Sequence, residues 1–145
     1  MGDFARTYRA WAWLAALILG LTALAKMAGI FVGSPVLQGV EPLTGVTLST
    51  VTGMVAVGEL VLVGLLLRSG TIEVGTRLVF VFAVGALGYR LWILPPQAPC
   101  PCLGGLGYWL PGLEVIERDL LRFVLLWLAF TAWGVLMHHR LTHAP

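Results

Sequence analysis

Charge is scarce in this chain. Only 11% of its 145 residues are Asp, Glu, Lys or Arg, so the polar skin a water-soluble domain needs cannot be assembled from it. A net charge of +2, with no basic run and no interleaving of basic and aromatic residues, excludes a nucleic-acid-binding surface. Cysteine is limited to Cys100 and Cys102, and histidine to His138, His139 and His143. The topology read below puts these two sets at opposite faces of a membrane, ~30 Å apart, so no metal site is expected and the histidines read as a polar tail. There is no nucleophile triad, phosphate loop, H-E-x-x-H or dinucleotide fingerprint.

What abounds is apolar. Hydrophobic residues make up 59% of the chain and mean hydropathy is +0.92, which places it in a bilayer. Four segments approach the ~20 residues a helix needs to cross ~30 Å of hydrocarbon: 11–33, 47–67, 77–94 and 120–137. Ser34-Pro35, Glu41-Pro42, Arg68-Ser69-Gly70 and the stretch from Pro95-Pro96 to Pro111-Gly112 supply the turns between them. The fold class expected is therefore all-α: a single integral membrane domain over 1–145, built as a four-transmembrane-helix bundle. Arg6 and Arg9 before Ala23-Leu24-Ala25 also resemble a cleavable signal, but the apolar run continues through Ile30, Phe31 and Val32, which favours a span.

Arg6, Arg9, Arg68, Arg77 and Arg140 fall on the N-terminus, the second loop and the C-terminus, whereas the first and third loops hold only Arg118. By the positive-inside rule both termini are cytoplasmic, and the loop over 95–119 is extracytoplasmic. A multi-pass protein of a bacterial-type cytoplasmic (inner) membrane is expected.

Three charges interrupt the spans. Lys26 lies roughly 11 Å inside the end of the first segment, Glu59 near the middle of the second, and Arg90 about 6 Å inside the end of the third, at ~1.5 Å per residue. Each sits on a face of small or polar residues: Thr22 and Ala23 with Lys26, Thr52 and Ala56 with Glu59, Ala83 and Ala86 with Arg90, and Tyr89 in the row of Phe82 and Gly85. A charge at the bilayer midplane costs ~2.5–3.5 kcal/mol even on insertion scales, so an ion pair between Lys26 and Glu59, or a polar cavity, is expected. Two roles stay open for these residues. They are a register-fixing pair, or they line a ligand or proton pocket that takes an anionic or quinone-like molecule. Arg90 has the further option of snorkelling to the interface.

Cys100-Pro101-Cys102 follows Arg90 by ten residues. Cα atoms two residues apart in extended chain lie about 7 Å apart, so a disulfide here needs a bend at Pro101 and would be strained and exchangeable. Inert thiols and a structural disulfide are the competing readings.

The order of these features resembles the MauE/DoxX family of small four-helix membrane proteins. The matching residues are Ala25-Lys26-Met27-Ala28-Gly29, Gly58-Glu59-Leu60 and Cys100-Pro101-Cys102-Leu103-Gly104, and the cysteine pair favours the MauE branch, associated with methylamine utilisation. The resemblance implies extracytoplasmic thiol–disulfide chemistry with a thioredoxin-like partner, with Cys100 and Cys102 as the reacting residues. It also implies a possible link to quinone, from the DoxX-like relatives, and a role for Lys26 and Glu59. No cofactor is demanded by the residues themselves. The reading from a different class is a noncatalytic subunit that packs its small-residue faces against a larger membrane complex.

Overall fold

The structure, a computed structural model, describes residues 2–41, 44–68, 70–92 and 113–142. Four helices account for most of them: α1 (Gly2–Val32), α2 (Leu48–Leu67), α3 (Ile72–Trp92) and α4 (Leu113–Thr142). Each is long and apolar enough to cross a membrane. Among the described residues there is no strand, only an isolated bridge between Val40 and Thr47.

Helix ends follow local chemistry. At the end of α1, Gly33 adopts φ +72°, a conformation that costs glycine nothing. Ser34 N–H then bonds the Gly29 carbonyl at 3.0 Å and Gly33 N–H the Ile30 carbonyl at 3.1 Å, the paired bonds of a Schellman cap, with Pro35 behind it to stop the helix. Pro35–Gln38 forms one 3-10 turn before the chain doubles back through Gly45, also at positive φ. Between α2 and α3 the connection is tight. The Thr71 hydroxyl bonds the Leu65 carbonyl at 2.9 Å and so caps α2.

The helices overrun the apolar segments. α3 starts at Ile72, five residues before Arg77, because Glu73 and Arg77 form an i,i+4 pair on its exposed surface, and charge there does not end a helix. α1 likewise extends back to Gly2, and α4 from Leu113 to Thr142. The structure thus has longer helices than hydropathy alone delimits.

The chain runs up and down, so α1 and α3 finish where α2 and α4 begin; this is called the loop end, and the α2–α3 connection marks the turn end. A Tyr8–Thr76 hydrogen bond of 3.0 Å joins the second turns of α1 and α3. The core occupies mainly the turn half: Trp11, Ala12, Ala15, Ala16 and Leu19 of α1, Leu62 and Leu66 of α2, Val79 and Ala83 of α3, and Leu125, Leu128, Ala129 and Ala132 of α4. Alanines on α1 let the helices approach, which is how bundles pack where lipid removes the hydrophobic drive.

The outside is the inverse of a soluble protein. Phe31 is 82% exposed, and Trp13, Met54, Val81, Leu91, Phe123 and Phe130 all face outward. Apolar surface on this scale is a liability in water and ordinary in lipid. Polar groups point inward instead, with Lys26, Glu41, Glu59, Thr52, Thr76 and Arg90 buried. This is a multi-pass membrane protein.

Candidate functional site

Among the described residues the core does not fill the bundle to the loop end. A cavity of about 420 Å³ takes its place, walled by α2 and α3 with single contributions from α1 and two from α4. The splay of α2 and α3 creates it. At the turn end the two backbones nearly touch, since a Cβ on Gly75 would lie 3.2 Å from both the Leu65 carbonyl carbon and the Leu66 nitrogen. Toward the loop end a Cβ on Gly85 would meet nothing within 4 Å. α1 and α2 stay together there, a Cβ on Gly53 coming to 3.6 Å from the Ile30 side chain.

Lys26 and Glu59 lie at the cavity wall. The ammonium donates to both carboxylate oxygens, at 2.7 and 2.8 Å, with the two side chains only 7% and 4% exposed. Lys26 reaches its partner because a helix that ends at Gly33 puts position 26 two turns inside, facing the middle of α2. Thr22, one turn earlier, stands beside the same carboxylate and donates its hydroxyl proton to the Leu19 carbonyl at 3.0 Å. The pair is a complete, mutually neutralised unit.

Tyr89 and Arg90 of α3 line the same cavity toward the loop end. The Arg90 side chain is buried within the protein. Tyr89 donates its hydroxyl to Glu41 Oε1 at 2.7 Å, while Glu41 Oε2 accepts from the Thr44 N–H and hydroxyl, both at 2.7 Å. Glu41 is 2% exposed. It pins the α1–α2 loop onto α3 beside the cavity.

Four residues singled out in the sequence, Lys26, Glu59, Tyr89 and Arg90, therefore converge on one cavity from three helices. Cys100 and Cys102 lie outside the described residues. In the sequence Glu41 reads as a turn residue beside Pro42, and no local signal marks it, because its bond to Tyr89 spans 48 positions. Thr52 lies one turn into α2, on the Glu59 face, and lines the cavity as well.

Comparison of the chain with known protein families, with curated proteins and with solved structures gives no match, so function has to be argued from this geometry.

Proposed function

We propose that the protein supports thiol–disulfide exchange at the extracytoplasmic face of a bacterial cytoplasmic membrane, with the cavity as its membrane-side pocket. Its termini and the α2–α3 turn are then cytoplasmic, as the arginine distribution favours. The observation that carries the reading is the convergence of Lys26, Glu59, Tyr89 and Arg90 on one cavity at the helix end from which the chain runs on to Cys100 and Cys102. Buried ionisable residues in a membrane bundle mark pathways and ligand sites.

In the exchange, a thiolate of a thioredoxin-like partner attacks the Cys100–Cys102 disulfide, forming a mixed disulfide and releasing one chain thiolate. The partner's second thiolate then displaces the other chain cysteine. The partner leaves oxidised, and the chain holds a dithiol with two electrons and two protons more than before. A quinone bound in the cavity would supply the acceptor for those two electrons and two protons as the pair closes again. The residues fit such a group: apolar walls from Val51, Val55, Val81 and Phe82 flank polar groups at Thr52 and at the ion pair. Lys26 and Glu59 hold their wall fixed, and Glu41 holds Tyr89.

The test is Cys100→Ser and Cys102→Ser, singly and together, with the thiol state of exported proteins read by alkylation. Neither a single variant nor the double variant can form the Cys100–Cys102 disulfide, so all three are expected to accumulate reduced exported proteins. Unchanged oxidation in the double variant refutes the proposal.

A further inference from the structure

We infer that the cavity takes a neutral, single-chain amphiphile from the lipid phase, and that Thr52 hydrogen-bonds its head. This deepens the reading of the same site and rests on the pocket, not on the cysteines. The first support is Thr52 itself. Thr22, Thr76 and Thr131 return their hydroxyls to the carbonyls of Leu19, Ile72 and Trp127, at 3.0, 2.8 and 2.6 Å. Thr52, only 5% exposed, makes no such bond and has no hydrogen-bond partner among the described residues, although it lines the cavity. Its hydroxyl is open to the cavity, so a molecule lodged there can supply the hydrogen bond that the protein does not.

The second support is charge. Both carboxylate oxygens of Glu59 are bound to Lys26, and Arg90 has an interaction partner of its own. An anionic head would have to displace Glu59 from Lys26 and then sit beside it. A neutral carbonyl, amide or hydroxyl avoids this and can accept from Thr52 or from the ammonium proton that Glu59 leaves over.

The third support is the route. Val81, in the cavity wall near Gly85 on α3, is 64% exposed, so the cavity opens beside α3 through an apolar side chain suited to lipid rather than water. On the adjacent side the α1–α2 loop is fastened over the loop end by the Glu41–Tyr89 bond. A tail lying along the apolar walls and a head at Thr52 follow from that shape.

The experiment uses the full chain in zwitterionic nanodiscs, with dodecanamide and dodecyl phosphate as probes that share a chain and differ in head charge. Saturable dodecanamide binding is expected, with the phosphate at least ~10-fold weaker. Thr52→Val keeps the shape and should weaken the amide about 3- to 10-fold, one net hydrogen bond, while Thr52→Ser restores it. Gly85→Trp, placed where the glycine meets nothing, should block binding through this opening. Non-saturable partitioning, equal affinity for the phosphate, or an unaffected Thr52→Val overturns the inference. Amide binding that persists in the Cys100→Ser/Cys102→Ser chain, with exported disulfides unchanged, would sink the thiol reading alone.

Discussion

Replacing Lys26 by Met, Glu59 by Met, and both together isolates what the buried pair contributes. The ammonium lies 2.7 Å from the nearer carboxylate oxygen, with both side chains almost wholly removed from solvent. At an effective dielectric of ~20, charges about 3 Å apart attract by roughly 5 kcal/mol. Taking each ion out of water costs several kcal/mol, so the intact pair is worth close to nothing relative to apolar side chains of similar size. Removing one partner is different, because the other charge stays buried without compensation. Each single variant should therefore lose about 3–5 kcal/mol, whereas the double variant should fall within about 1 kcal/mol of the parent. Denaturant unfolding in bicelles, followed by far-ultraviolet circular dichroism, measures all three. A double variant that loses the sum of the single losses would refute the reasoning, since it would mean that the two residues stabilise independently.

Three further perturbations probe the geometry around the cavity. Gly75→Ala puts a Cβ 3.2 Å from backbone atoms of Leu65 and Leu66 that cannot swing aside, and should cost about 1–3 kcal/mol. Gly85→Ala meets nothing within 4 Å and should be neutral or gain up to ~1 kcal/mol of helix propensity in the same unfolding assay. Glu41→Ala leaves the Tyr89 hydroxyl and two Thr44 donors without their acceptor, and should cost about 1–3 kcal/mol with faster hydrogen exchange at the Thr44 amide.

The four helices were legible because an apolar run of membrane length has few other uses, and the stop at Gly33-Ser34-Pro35 was legible because cap chemistry is local. The start of α3 was not, since Glu73 and Arg77 look like a boundary in hydropathy and are an ordinary exposed ion pair on a helix. Counting residues along α1 and α2 put Lys26 and Glu59 within reach of each other, and they are bonded. Glu41 could not be found in this way. Its role arises from a loop folding back onto α3, a relation between positions that no spacing rule connects. Thr52 was visible on the Glu59 face, but that its hydroxyl declines the carbonyl bond made by Thr22, Thr76 and Thr131 is a fact of three dimensions only.

Side-chain volume explains where the cavity falls. Leu19, Leu66 and Leu128 fill the turn half, where Gly75 also lets α2 and α3 close. At the loop half the lining includes Val51, Val55, Gly85 and Ala86, whose small side chains leave space between the splayed helices. The space is not sealed, because Val81 in its wall is exposed on the outer surface, so molecules of the bilayer can enter it. Acyl chains satisfy Val51, Val55 and Phe82 but offer nothing to the Thr52 hydroxyl or to the ion pair. A molecule with both a tail and a hydrogen-bonding head satisfies both, and it outcompetes bulk lipid by the bonds that lipid tails cannot make.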